Sequence, residues 1–368
     1  MDSKLSKDIY ENRRILVLLL PAMIALLFVP FALRSQVSQR IASYNLGAGS
    51  ECPGMLITGS CQASRPLTTA EKVLFQADVS APGSYTIRTN TVNGYYFDAT
   101  GYFSTKGIQL VALQGHGIPL SGQMDTFTVT GSGNISSCTF TIKVAPWQCG
   151  MPFTDRRDSQ SYRTVPIGDQ CWMAQNLNFG TQINYMWNQK NNGIDEKYCY
   201  LGNKSNCDIY GGLYQWDELM KYTTSEGTRG LCPEGWHIPT DPEWCVATRV
   251  IDPEIDCQVI GASGSDGGGA MKVTGTTYWS PPNDGATNTS EFSAMPAGHR
   301  DYPGSFSSRA YVGFFWTSSE CGPAHAWIRS LHYFDDKINR DDYIKSNGFS
   351  VRCIRDAQPA VGEPPVDP

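Results

Sequence analysis

The sequence has no run of basic residues: 29 Lys+Arg stand against 35 Asp+Glu, a net charge of −6 over 368 residues. Nucleic acid is recognised first through clustered positive charge, so that partner class is not expected. None of the twelve cysteines lies in a CxxC pair. Zinc sites want close thiolate pairs, so the cysteines point to disulfides and an oxidising compartment. HExxH, GxSxG, a P-loop and GxGxxG are absent, and with them the commonest signatures of hydrolysis and nucleotide binding. Ser263–Gly269 is rich in glycine, but it lacks the lysine and the strand-to-helix setting of a phosphate loop and reads as an insertion. His237, His299, His325 and His332 fall at no regular ligand spacing and read as structural or surface residues, as does His116 in a Gly-rich loop. Asp335-Asp336 and Asp341-Asp342 read as solvated charge pairs. Calcium is the one cation they could hold, through carboxylates and carbonyls, but no loop of alternating oxygen ligands is visible. No cofactor is expected.

Arg13-Arg14 precede Ile15–Leu33, nineteen residues without a charge. A signal-peptide core runs about 7–15 residues and a spanning helix about 20, so length leaves residues 1–35 as either a cleaved signal or a retained anchor. Pro21 and Pro30 interrupt the run, and Ser35 followed by Gln36 is the best cleavage site. Membrane contact is expected only through residues 15–33, and only if they stay uncleaved. Residues 36–48 read as a linker.

Residues 49–146 are set apart as one domain, and from Cys52 to Val144 they follow a period of two. Glu71–Val79 begins the pattern, and Cys138, Phe140, Ile142 and Val144 alternate with Thr139, Thr141 and Lys143, one buried face and one wet one. Pro82-Gly83, Asn93-Gly94 and Gly122 mark the turns. About seven short strands in such a span predict an immunoglobulin-like sandwich. Residues 147–154, with Trp147, Cys149 and Pro152, read as a linker packed down onto its neighbours.

From residue 155 to residue 356 the signals change. Tyr162–Ile167 and Gln170–Met173 read as a hairpin. Cys199 and Cys207 close a tight loop flanked by Tyr198, Tyr200 and Tyr210, and are expected to bond to each other. Leu213, Trp216, Leu219 and Met220 are spaced like one face of a helix over Gly211–Tyr222. The organising stretch is Gly230–Trp244. Thr240 and Glu243 form a capping box, Pro242 sits in the first turn, and Ile238 stands where it could staple to Trp244. A helix should start near Asp241, with Trp236 and Trp244 in the core. Short strands are expected at Phe292–Met295, Gly313–Thr317, Ala326–Leu331 and Gly348–Ile354. Residues 357–368, AQPAVGEPPVDP, read as a Pro-rich tail.

APGSYTIRTNTVNGYYF, GYFSTKGIQLVALQGHGIPLSGQMDTFTV and SSCTFTIKV resemble an immunoglobulin-like repeat of Bacteroidota surface proteins. That resemblance implies a spacer and a pairing of Cys52 with Cys138, while Cys61 remains an alternative partner. IGDQCWMAQNLN, YGGLYQW, GLCPEGWHIPTDPEW, SEFSAMPAGHR, FFWTSSE, AWIRSL and NGFSVRCIRD, in that order, resemble the Fibrobacter succinogenes major paralogous domain family. That family is similar to C-type-lectin-like and formylglycine-generating-enzyme folds, two helices beside an irregular antiparallel sheet. The fold class implied is an all-β immunoglobulin-like sandwich followed by an α+β C-type-lectin-like domain.

The family resemblance implies a surface location and no common reaction. In the formylglycine-generating group, late cysteines bind copper; here Cys321 and Cys353 occupy that region, and Cys353 reads as a disulfide partner. The lectin calcium motifs EPN, QPD and WND are absent. Trp279, Asn283, Asp284, Trp316 and Trp327 mix aromatic faces with amide and carboxylate groups, the combination that holds sugars. They are the candidate ligand-binding residues, although each tryptophan also suits a core. The reading is a non-enzymatic, exported, outer-membrane-associated or extracellular protein acting in adhesion, ligand binding or structural assembly. Its partner would be a glycan, a surface protein or a further copy of itself. The alternative is a secreted enzyme on the formylglycine-generating-enzyme scaffold. Convergence of His237, Cys321, Cys353 and the late acidic pairs in one pocket would favour the enzyme.

Overall fold

The computed structural model describes residues 40–47, 51–132 and 136–356. Ile15–Leu33 and the Pro-rich tail at 357–368 lie outside these residues. The expected linker at 36–48 is described from residue 40. There it is no linker: Ser43–Asn45 form strand β1 on the edge of a sheet, with Ala42, Tyr44 and Leu46 buried.

The first sheet comprises β1, β2 (Leu56–Thr58), β3 (Lys72–Ala81), β4 (Gly83–Thr89), β5 (Tyr95–Phe103), β6 (Gly107–Gly117), β7 (Met124–Gly131) and β8 (Cys138–Lys143). Its order is β1-β3-β6-β5-β4-β7-β8, with β2 also on β3, and all these pairs are antiparallel. The expected sandwich of two sheets is therefore corrected to one continuous, curled sheet. The reason lies in β4, where Ile87 faces Ala99 of β5 on one side and Gly131 of β7 on the other. That double pairing joins what would otherwise be two sheets. The period of two does set the faces: Val73, Phe75, Ala77, Val79, Val111, Leu113, Phe127, Val129, Phe140 and Ile142 all enter one core inside the curl. Cys52 and Cys138 are bonded within it, and Cys61 is buried there as a free thiol.

The second half is not an α+β C-type-lectin-like domain, and that expectation is also corrected. The chain is mostly β, with about 40% strand and 10% helix. The half's helices are α1 (Lys204–Tyr210), α2 (Trp216–Leu219), α3 (Asp241–Ile251) and α4 (Gly267–Met271), and only α3 exceeds two turns. The helix expected over Gly211–Tyr222 shrinks to the single turn of α2. Gly211 at its start has φ 81°, and Lys221 and Tyr222 at its end have φ 54° and 60°, so the backbone leaves the helical region on both sides.

Two four-stranded sheets frame this half. One runs β9 (Thr164–Ile167), β10 (Gln170–Met173), β16 (Ile354–Arg355), β11 (Trp236–His237). The other runs β12 (Gly261–Ser263), β15 (Ile338–Ile344), β14 (His325–His332), β13 (Val312–Gly322). Of the expected strands Phe292–Met295 and Gly348–Ile354, only Ile354 lies in one, at the start of β16; the rest make isolated bridges such as Lys272 to Ala294 and Phe315 to Ser350.

The organising stretch works largely as its residues dictate. The Thr240 hydroxyl accepts from Glu243 N–H at 3.1 Å, and the Glu243 carboxylate accepts from Thr240 N–H at 2.8 Å. The staple is different from expectation: Ile238 and Trp244 are both buried, but in separate apolar clusters. The disulfides Cys149–Cys171, Cys199–Cys207, Cys232–Cys353 and Cys245–Cys257 tie the loops of this half together. Residues 147–154 pack down onto their neighbours, with Trp147 Nε1 donating to Pro152 O at 3.1 Å and its ring against Trp236.

Candidate functional site

The five residues named from the sequence do not assemble into a binding face. Trp279 and Trp316 are core residues, 1% and 0% exposed, and their indole N–H groups donate to the carbonyls of Ala294 and Tyr214. Asn283 is buried, and its amide donates to Val273 O and Gly275 O. Trp327 is half-buried and its ring is covered by the Arg340 guanidinium at 3.5 Å. Arg340 is in turn fixed by Asp241 at 2.8 Å. Only Asp284 is exposed, and its backbone carbonyl is spent on Lys272. Aromatic and amide residues in a segment without period look alike whether they face solvent or core, so the sequence could not separate the two.

The groups weighed for an enzyme fall in two places rather than one pocket, His237 beside the strand that follows Cys353 and Cys321 beside Asp342. His237 bonds Asp356 through Nδ1 at 2.7 Å and Glu243 through Nε2 at 2.9 Å. Burial lowers its pKa, but the two carboxylates outweigh burial and hold it above the ordinary histidine value. Cys353 is bonded to Cys232. Cys321 is a free, exposed thiol beside Asp342, which itself bonds His325 at 2.7 Å; burial and that carboxylate raise the thiol pKa, the opposite of nucleophile activation. Among the described residues no three His, Cys, Asp or Glu side chains gather as a metal site. Near the Asp335-Asp336 pair stands a built-in cation instead. Lys272 is fully buried, and its ammonium donates to Asp284 O, His332 O and Asp335 O at 2.7, 2.9 and 2.7 Å. Burial pulls its pKa down to about 8.

Elsewhere, distant segments do converge on a cleft of about 400 Å³. The CWMAQNLN stretch supplies Gln175, Asn176 and Asn178, α1 and the glycine after it supply Tyr210 and Gly211, and the loop before Trp279 supplies Tyr278. Asn288 and Ser293 close one side and Arg163 another. Gly211 is required where it stands: a Cβ there would lie 2.5 Å from the Asn176 Cβ.

Asn176 anchors the floor. Its amide donates to Tyr210 O at 2.7 Å and Ser350 Oγ at 3.1 Å, while its oxygen accepts from Arg352 Nε at 2.6 Å. Asn288 and Ser293 lock each other, with Ser293 N–H donating to Asn288 Oδ1 at 2.9 Å. The walls remain available. Tyr210 and Tyr278 meet edge to face, with centroids 6.2 Å apart, and Tyr278 is exposed. Burial raises the Tyr210 pKa, partly offset by Arg309 over its ring, so the phenol stays a neutral donor at physiological pH. Gln175 Oε1 accepts from Arg163 N–H, and Asn178 Oδ1 accepts from Lys197 Nζ at 2.8 Å. The NH₂ groups of both side chains have no protein partner among the described residues. Sequence reading missed this cleft because its residues come from segments more than a hundred positions apart. The signal it carried was the clustering of amides in QNLN beside a tyrosine–glycine turn.

A protein-family model, the Fibrobacter succinogenes major domain, matches residues 165–355, just over half of the 368-residue chain. No curated protein matches the chain.

Proposed function

This chain belongs to the Fibrobacter succinogenes major domain family, and on that footing we propose that it is an exported surface protein whose tyrosine–amide cleft binds a neutral saccharide, in adhesion or ligand capture. A generic surface role fits the family. Export is supported by chemistry: ten of the twelve cysteines are paired, as expected of a protein that matures in an oxidising compartment.

The observation that carries the saccharide reading is the composition of the cleft walls. Two tyrosine rings stand at nearly a right angle beside the free amide donors of Gln175 and Asn178. Sugars present apolar C–H faces to aromatic rings and hydroxyls to amides, so this lining suits a pyranose. About 400 Å³ suits one or two rings. The enzyme alternative has less behind it: His237 is held by Glu243 and Asp356, Cys353 just before the neighbouring strand is closed in a disulfide with Cys232, and Cys321 lies apart from both beside Asp342.

The test is a glycan array probed with the full chain and with Tyr278→Ala and Gln175→Ala. Both residues lie at least partly in solvent, so the variants should fold like the parent. Neutral glycan signals that fall by about tenfold in each variant, at an unchanged melting temperature, are the expected result. Signals that survive both substitutions would remove the cleft from consideration.

A further inference from the structure

A second cleft, of about 440 Å³, runs along the seam between the first sheet and the second half. Four arginines line it, Arg156, Arg157, Arg229 and Arg355, against the two acids Asp155 and Glu234. In a chain of net charge −6 this is a local reversal of sign. Arg157 is spent: it pairs with Asp155 at 2.6 Å, donates to Leu231 O and lies 3.6 Å over the Phe179 ring. The other three are not. Arg156 and Arg229 are exposed and form no ion pair among the described residues.

Arg355 is the informative one. Its guanidinium lies against two indoles that meet edge to face, 5.2 Å from the Trp147 ring centroid and 5.6 Å from that of Trp236. Its Nε is buried and has no hydrogen-bond partner. A buried charged donor without an acceptor costs free energy unless something occupies it. The rings hold the guanidinium in place, and its neighbours in the cleft add positive charge. Leu120, Phe153 and Pro119 give the cleft an apolar wall beside this charge.

We propose that the seam cleft binds a small organic oxyanion, a carboxylate or sulfate ester carried on a body of one or two sugar rings' size. The acidic group would accept from Arg355, Arg156 and Arg229, because guanidinium forks match the oxygens of such groups. The body would lie on the apolar wall. This site is separate from the tyrosine–amide cleft and does not depend on the reading given to it.

Isothermal titration of the full chain decides the matter, with four probes: a digalacturonate, a sulfated disaccharide, a neutral disaccharide and inorganic sulfate. The first two arms distinguish carboxylate from sulfate ester. At least one acidic disaccharide should bind, weaken as salt is raised, and lose about a hundredfold in affinity in the R156Q/R229Q double variant. Both substitutions are at exposed positions, so the fold should survive, and an unchanged melt checks it. Tyr278→Ala should leave this binding intact. Acidic disaccharides that bind no better than the neutral one, binding that persists in the double variant, or inorganic sulfate binding as tightly as the organic acids would each overturn the proposal.

Discussion

The first sheet and the half that follows it satisfy their backbones by different means. Between β3 and β8 most of the described residues lie in strands, so N–H and C=O groups pair with each other and the side chains are left free to make an apolar core. Phe127 stacks there on Phe140 and meets Tyr95 and Phe97 edge to face, and one disulfide suffices. The second half has long loops, and long side chains do the work of the missing ladders. Arg352 is fully buried and donates to Met173 O, Phe292 O and Ser293 O as well as to Asn176. Lys272 gathers three more carbonyls, and Gln189 and Gln215 close another loop. Four disulfides add the cross-links. A region poor in regular structure can still be well packed when cationic and amide side chains supply its backbone partners.

The strongest way to break this contrast is Arg352→Met. The substitution keeps most of the volume and removes donors to four buried acceptors. Each orphaned acceptor costs about 1–3 kcal/mol, with incomplete additivity, so the loss should be about 5 kcal/mol. Hydrogen exchange should then accelerate across residues 165–355 while the amides of β3 to β8 keep their protection. Protection lost equally in both regions would mean that the two halves do not stand on separate supports.

A smaller effect sharpens the comparison at the tryptophans. Trp244 is 1% exposed and packs against Trp172, Phe292 and Phe315; Trp279 is also 1% exposed. Trp244→Ala and Trp279→Ala should each cost about 3–5 kcal/mol in denaturant melts. A clearly milder Trp279→Ala would restore that ring as a surface feature.

These two rings show what was legible in the sequence. The place of Trp244 could be read because a capping box and Pro242 announce α3, and a helix gives its residues sides. Trp279 lies in a loop, where no period tells inside from outside. The same limit applied to the sheet. Alternation at Cys138–Val144 marked the buried face, but nothing local states that β4 pairs on both edges, and so the sandwich was the wrong closure. The cleft residues were visible as a run of amides in QNLN. Their meeting with Tyr278 depends on contacts across the whole half, which no single stretch contains.

The smallest effect concerns pH and the end of the organising stretch. His237 joins Glu243 of α3 to Asp356, with only 15% of its side chain exposed. Its pKa is raised in the folded protein, despite burial, by hydrogen bonds to the two carboxylates, and the Glu243 pKa is lowered, despite burial, by His237 and Thr240. A histidine with a raised folded pKa contributes stability that is fully present below its unfolded value of about 6.5 and is lost as pH rises through the folded value. His237→Gln keeps a hydrogen-bonding side chain but removes the charge. The stability gap between parent and variant should therefore be widest below the ordinary histidine value, where the carboxylates remain ionised, and close as pH rises through the raised folded value. Urea melts across a pH series spanning both values measure it. A gap that widens with rising pH would show that His237 acts here as a neutral hydrogen bonder, and that the first sheet is not alone in holding its edges without charge.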